Sequence, residues 1–480
     1  MAIPSLFSNQ VDYIRAHENK INDSFFFINT GETGSGKTVT TIYLSKIYNL
    51  PLFVLGPANI EENWQKECKK YDAKLTFVSY SKLARGNSGF VRQIEKSMAP
   101  TQQLIDLIKS RVLVIYDEAQ DVKNPKALCF AACNEISKLV ISLNCGSRIA
   151  ILSATLIDEV KFAESTFKLT GIISKKELFY FNPGDKRYTL KGYGYNEALE
   201  YCAKLDPVAT SKCIPQWYNS KQIKKALYDL LVNVIMPNMS YMMRRPQIKA
   251  QFKPILGYYK MEPQDEDNLK AALNELMKAV RYDPATGSIM YQSDTISNVI
   301  QAHHKMEAAK LNLFTRLVNE KLKENEFNKV IVYLWYKDNL NTMMDRFKDY
   351  NPLKLNGDVD PGTRYQQLNE RFMQPNNNCR LIFAHPKAAG VGLSFDDTYG
   401  QFPRFTFMSS GYHFIMIHQC AGRSYRTSTK SDASFSIVYG KDIIENSIMN
   451  ALYRKTEVLQ GINSNADIVY PASYPVYVEN

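Results

Sequence analysis

The stretch FFFINTGETGSGKTVTTIYLSKIY, residues 25–48, decides how the rest of the chain is read. FFFIN is apolar at every position but its last, the pattern of a strand buried on both faces in a helix-covered parallel sheet. GETGSGKT then supplies Gly31, Gly34, Gly36, Lys37 and Thr38 in GxxxxGK[ST] spacing, and VTTIYLSKIY continues as a helix. Glycines let successive backbone N–H groups turn toward phosphate oxygens, and the helix N-terminus adds a dipole that favours negative charge. In that frame Lys37 reaches the β- and γ-phosphates of a nucleotide and Thr38 holds Mg²⁺.

Working outward, the same alternation of short apolar runs and helix-like stretches continues through LFVL (52–55), LTFVS (75–79), VLVIY (112–116) and IAIL (149–152). It returns in VIVYL (330–334), LIFA (381–384), FTFM (405–408) and FSIVY (435–439). Two α/β lobes of one design follow, over 1–160 and 306–460. Between them, 161–305 carries helical patterns such as QIKKALYDLLVNVIM and EDNLKAALNELMKAVRY and few strand-like runs, and reads as a mostly helical insertion and bridge. Residues 461–480 form a tail whose end, YPASYPVYVEN, is too rich in Pro and Tyr for a helix; it is a loop, an edge strand or a docking peptide.

With 480 residues the chain exceeds a single core, and 45% hydrophobic content excludes a disordered or collagen-like polymer. Lys and Arg number 59 against 48 Asp and Glu, so the net charge of +11 favours an anionic partner such as nucleic acid. Eight scattered cysteines show no CxxC pair and read as reduced thiols. The first twenty residues lack the apolar run of a signal peptide, and no apolar stretch is long enough to span a bilayer, so a soluble intracellular protein without membrane attachment is expected.

Further chemistry sits at the ends of the predicted strands. RVLVIY runs into DEAQ, placing Asp117 and Glu118 at the carboxyl end of a buried strand, where open parallel sheets put their ligands. Asp117 is expected to hold Mg²⁺ through water, and Glu118 to act as general base on the attacking water. IAIL leads into Ser153-Ala154-Thr155. In the second lobe KAAGVGLS (387–394), with Gly392, follows a strand, and HQCAGRSYR (418–426) presents Gln419, Arg423 and Arg426. The two arginines, at i and i+3, are expected on one face of a short helix, where they supply positive charge to a phosphoryl group in transfer.

In this order, GETGSGKT, DEAQ, SAT, KAAGVGLS and QCAGRSYR resemble the motif series of superfamily 2 helicases, and within them the Swi/Snf-type DNA translocases. Local likenesses are PANIEENWQKE (57–67), DEAQDVKNP, MMRRPQIKA (242–250) and LNGDVDPGTRYQQLNERF (355–372). The resemblance spans about residues 6–460 and implies two tandem RecA-like lobes, ATP and Mg²⁺ as ligands, and an ATP hydrolase. It also implies that Gln10, near Phe7, reads adenine. The loop TGETGSGKT, the SAT triplet and Ser394 depart from the Swi/Snf pattern. The TGxGKT loop and compact length look more like transcription-associated ATPases of large cytoplasmic DNA viruses, which implies an RNA polymerase or transcription factor as partner.

On the same likeness, nucleic acid, DNA before RNA, runs over loops holding Pro57, Asn59, Asn63, Ser79-Tyr80, Trp335-Tyr336-Lys337 and Lys387. Trp64 and Trp335 read as packing residues first and base-stacking residues second. His303-His304 has no ligand partners at metal spacing and reads as helix surface. No hairpin with clear turn chemistry offers a wedge, so translocation on duplex DNA without strand separation is the first expectation. The alternatives are a strand-separating helicase and a scaffold subunit that keeps the ATPase fold.

Overall fold

Every apolar run named above becomes a strand of one of two parallel sheets. The computed structural model describes residues 6–18, 24–32, 34–95, 97–241, 243, 248–283, 288–291, 296–390, 392–440, 443–462 and 476–478. The chain divides into two units, Met1–Pro246 with Glu457–Ala466, and Gln247–Thr456 with Asp467–Asn480.

In the first unit the strands are β1 (Phe26–Asn29), β2 (Leu52–Gly56), β3 (Leu75–Ser79), the hairpin β4 (Val91–Ile94) and β5 (Ser97–Pro100), then β6 (Leu113–Asp117), β7 (Arg148–Leu152), the hairpin β8 (Tyr180–Asn182) and β9 (Arg187–Thr189), and β10 (Ser240–Tyr241). The six-stranded sheet has the order β10-β1-β7-β6-β2-β3, with every pairing parallel. All residues of β1, β2 and β6 are buried, which is why these segments are apolar without alternation. The helical stretch after β7 joins the same core. Ser220–Leu230 buries Ile223, Ala226, Leu227 and Leu230, a 3–4 spacing that turns one stripe inward. Its first turn is capped by Asn219, whose side chain accepts from the Gln222 N–H at 2.8 Å.

The second unit contains β11 (Phe252–Tyr259), the hairpin β12 (Val280–Asp283) and β13 (Ser288–Tyr291), β14 (Lys329–Tyr333), β15 (Leu353–Leu355), β16 (Leu381–Ala384), β17 (Arg404–Ser409), β18 (Ala433–Tyr439) and β19 (Val476–Val478). Its parallel sheet has the order β15-β16-β14-β17-β18-β11-β19. Val330, Val332, Leu381, Phe383 and Phe407 form its core with the helices Pro263–Ala279 and Leu311–Glu324.

Three features depart from the expectation. The division at Pro246–Gln247 falls inside the stretch 161–305, so that stretch is not one body. β10 pairs with β1 and β11 with β18, and each draws its part of the stretch into a different sheet. FKPILGYY does not read as a strand because Pro lacks a ladder donor and Gly packs no side chain. β11 tolerates Pro254 because, among the described residues, β19 pairs with Gly257–Tyr259 and not with Pro254. The tail supplies β19 as an edge strand, one of the three forms expected of it. Finally, three antiparallel hairpins are present among the described residues, where the sequence shows no hairpin with clear turn chemistry. The β4–β5 turn carries Glu95 at φ 51°, a left-handed position filled by Glu instead of the Asn or Gly that would have announced it.

Candidate functional site

In the first unit β7 lies between β1 and β6, so the loops after these three strands emerge side by side at the carboxyl edge of the sheet. β1 feeds the glycine loop. Gly34 has φ 80° and Gly36 φ 97°, a left-handed geometry open to glycine, and Gly36 caps the helix Lys37–Ile47. A Cβ on Gly36 would sit 2.2 Å from Gln10 Nε2, and one on Gly31 2.8 Å from Ser35 Oγ. The Gly31 N–H donates to Asn29 Oδ1 at 2.9 Å, and Lys37 Nζ donates to the carbonyls of Gly31 at 2.8 Å and Glu32 at 3.1 Å. The lysine therefore curls over its own loop, with its ammonium within the cradle. Thr38 follows in the first helical turn, half-exposed.

Gln10 is buried against this loop. Its Nε2 donates to the Ser35 carbonyl at 3.5 Å and its Oε1 accepts from the Phe7 N–H at 3.0 Å, while the Phe7 ring is exposed. The pairing of Phe7 with Gln10 is thus a physical one.

β6 delivers Asp117 as its last residue. Asp117 Oδ2 accepts from Trp64 Nε1 at 2.8 Å, Oδ1 accepts from the Glu118 N–H at 2.9 Å, and the Tyr80 hydroxyl donates to the Asp117 carbonyl at 2.8 Å. Burial first, and the neighbouring Glu118 second, push the Asp117 carboxyl up to about 6; the Trp64 bond and the Lys37 charge pull the other way. Glu118 stands at φ 51°. Its Oε2 accepts from Gln120 Nε2 at 2.7 Å, and Gln120 Oε1 accepts from the Ser153 hydroxyl. The Thr155 N–H donates to Ser153 Oγ at 3.0 Å, so a continuous hydrogen-bonded path joins DEAQ to SAT.

Trp64 and Tyr80 both bond to Asp117, a role that sequence reasoning did not give them. Trp64 is fully buried, consistent with the packing reading, but its indole N–H also fixes the acid. The signal was available: a buried tryptophan must find an acceptor for its N–H. Ser79 and Tyr80 were expected to touch a nucleic-acid backbone, yet both are buried. Ser79 caps the helix Tyr80–Ala84, and Tyr80 is spent on Asp117. Asn59 and Asn63 are exposed. Met243 contacts the glycine loop through its carbonyl, which accepts from the Glu32 N–H at 3.3 Å; Arg244 and Arg245 lie outside the described residues.

In the second unit the helix Phe414–Ala421 holds Gln419, which is buried, and ends before the arginines. Arg423 and Arg426 are therefore not on one helical face as expected. Gly422 closes the helix, and both lie in the turn beyond it. They still converge, because Arg423 donates to the carbonyls of Gly390 at 2.8 Å and Leu393 at 3.1 Å, and Arg426 to Leu393 at 3.0 Å. Gly392, at φ 82°, belongs to the loop they brace. Arg364, in the segment that follows NGD, donates to the Ala388 carbonyl at 2.6 Å and holds the other end of that loop.

The donor set of the first unit fits a nucleoside triphosphate with Mg²⁺. The loop places Lys37 and helix-terminal N–H groups together, and Asp117 with Thr38 offers the hard oxygens that Mg²⁺ prefers. When bound, the ion and nucleotide supply the phosphoryl group and the charge neutralisation its transfer needs. The protein's own part is to hold Glu118 by Gln120 and Asp117 by Trp64 in fixed orientations.

No family model matches the chain. It is 19% identical over 458 residues, 92% of this chain and 80% of the relative, to the "Putative ATP-dependent RNA helicase L364" of Acanthamoeba polyphaga mimivirus. The solved structure of the Sulfolobus solfataricus SWI2/SNF2 ATPase core in complex with dsDNA overlays loosely. Coverage is 96% of this chain and 97% of that one, with 14% identity and a TM-score of 0.34. The motif series GETGSGKT, DEAQ, SAT, KAAGVGLS and QCAGRSYR thus lies in a chain similar over nearly its full length to that mimivirus protein.

Proposed function

We propose that the protein is an ATP-hydrolysing nucleic-acid motor, with duplex DNA as its first track and viral transcription or genome handling as its setting. The observation that carries the reading is the meeting of Lys37, Asp117 and Glu118 at one sheet edge, each held by a specific partner. Glu118 acts as general base, Asp117 and Thr38 hold Mg²⁺, and Gly31, Gly34, Gly36 and Lys37 hold the phosphates. Gln10 reads adenine and Gly392 lines the nucleotide. Gln419, Arg423 and Arg426 of the second unit are the further residues assigned to catalysis. Retention of all these groups supports an active enzyme over a scaffold. The viral setting draws support from the mimivirus relative, and an RNA polymerase or transcription factor is the expected company.

A second reading, strand separation, is favoured by the β4–β5 hairpin, whose Ile94 is exposed near its tip as a splitting wedge requires. Steady-state ATP hydrolysis with no nucleic acid, duplex DNA, single-stranded DNA and single-stranded RNA tests both. Stimulation by duplex DNA supports translocation, and stimulation only by single strands supports separation. An absence of hydrolysis under all four conditions removes the motor reading.

A further inference from the structure

The second unit contains a cavity of about 570 Å³ at the carboxyl ends of β14, β16 and β17. That size lies within the range of small-molecule sites, and the carboxyl edge of a parallel sheet is where such sites form. Six rings line it: Trp335, Tyr336, Tyr412, His303, His385 and His413.

The rings are held in place. Trp335 Nε1 donates to the Ser409 carbonyl at 3.0 Å, and a Cβ on Gly411 would fall 2.8 Å from that nitrogen, so only glycine lets the chain run flat beside the indole. His413 lies 5.2 Å from Trp335 between ring centres, His304 stacks on Tyr336 at 4.9 Å, and His303 meets Tyr412 edge-on at 5.8 Å. Glu307 anchors the Trp335 and Tyr336 N–H groups at 2.8 and 3.1 Å. The histidine pair is thus part of a cavity wall and its support, not plain helix surface.

The buried charges of the lining, Glu307 and Lys310, are both held by protein partners. Lys310, almost fully buried, is matched by Glu445 at 2.5 Å and donates to Ser410 Oγ at 2.8 Å. Burial, then Lys310 and His413, hold His303 down to about 4, and burial also lowers His385, so both rings are neutral near pH 7. A neutral imidazole offers one donor and one acceptor, the complement of a base edge; His385 Nδ1 already accepts from the Lys387 N–H at 3.2 Å, so that role falls to His303. Lys387, in contrast, is exposed where it borders the cavity. Flat rings, buried charges already held by protein partners and a cation at the edge suit a nucleobase with its phosphate outside.

We propose that this cavity takes one unstacked base of a single-stranded nucleic acid, stacked against Trp335, with the adjoining phosphate at Lys387. The inference rests on the nucleic-acid reading in its strand-separating form, since a base cannot enter while paired in a duplex. The test is fluorescence anisotropy with full-length protein and single strands of about 10 nucleotides, within the site sizes of such proteins. DNA and RNA arms are each made with bases and with an abasic backbone, beside a duplex of the same length. Loss of the bases is expected to weaken binding about tenfold. Trp335→Ala and Gly411→Ala should abolish that difference, whereas Lys387→Ala should weaken both strands alike. Equal binding of base-bearing and abasic strands alongside firm duplex binding overturns this inference alone. So does an undiminished base preference in Gly411→Ala protein that melts like the parent. Failure of every nucleic acid to bind overturns the underlying reading too.

Discussion

Trp64 Nε1 lies 2.8 Å from Asp117 Oδ2, and this bond crosses from the helix Glu61–Lys70 to the last residue of β6. It fixes one carboxylate oxygen of the residue assigned to Mg²⁺ while the Glu118 N–H fixes the other. Trp64→Phe keeps most of the packing and removes only the donor. A hydrogen bond to a charged group contributes about 1.5–3 kcal/mol, so the variant should lose stability of that order in urea melts. Its ATP hydrolysis should also need more Mg²⁺ for half-maximal rate. An unchanged Mg²⁺ dependence would separate Trp64 from the site.

Lys37 and Glu118 are predicted to fail differently. Lys37→Ala removes the only side-chain cation of the glycine loop and should abolish hydrolysis together with most nucleotide affinity. Glu118→Gln keeps an amide that can still meet Gln120 but cannot accept a proton, so ATP should bind and remain unhydrolysed. Nucleotide binding by equilibrium dialysis and turnover by phosphate release distinguish the two. Near-normal turnover in either variant contradicts the assignment.

The path from Glu118 through Gln120 to Ser153 links the general base to the loop after β7. Ser153 is fully buried, and it also accepts from the Thr155 N–H. Ser153→Ala leaves Gln120 Oε1 and that N–H without this partner and should cost about 1–3 kcal/mol of stability. If the path carries a signal between nucleotide and track, Gln120→Ala should reduce the ratio of stimulated to basal hydrolysis more than it reduces the basal rate. Equal reduction of both would make the path a purely structural brace.

Much of this arrangement could be read before the structure, for a physical reason. Strand stretches such as LVIY, residues 113–116, are buried on both faces and must be apolar, and the glycine loop and DEAQ mark the strand ends. What escaped were features set by long-range contacts. FKPILGYY becomes β11 only because β18 pairs with it, while among the described residues β19 pairs with Gly257–Tyr259 and not with Pro254. The arginines converge through a turn that helical spacing cannot describe, since their shared target, the Leu393 carbonyl, lies some thirty residues away in sequence. The Trp64 bond spans 53 residues, and the aromatic cavity gathers side chains from residues 300 to 416. Local pattern reports burial and turns; partners at such separations are fixed by topology.

Arg423 is 5% exposed, and its guanidinium donates to two carbonyls of the loop Gly390–Leu393. Arg423→Ala is expected to spare ATP binding in the first unit and to remove turnover. Loss of two charge-assisted bonds should also lower the melting temperature. Arg423→Lys separates these effects. One ammonium cannot reproduce the planar fork, so part of the stability should return while hydrolysis stays low. Full activity in the lysine variant would show that charge alone suffices at this position.

The His303 ring offers a test by pH. Its folded-state value is held near 4 by burial and by Lys310 and His413, below the ordinary value of 6.5. A base whose folded value is depressed stays neutral in the native state while the unfolded chain takes up a proton. Stability therefore falls as pH drops from about 6.5 toward 4 and is unaffected by this group above that window. His303→Gln keeps polarity without titration, so its melting temperature should decline less than the parent's between pH 7 and pH 5. Lys310 and His413 act in the same direction on the ring, and Glu445, paired with Lys310, tempers the first of them. Parallel decline in both proteins would mean that the ring reaches water and titrates normally, and the cavity lining would then gain charge on mild acidification.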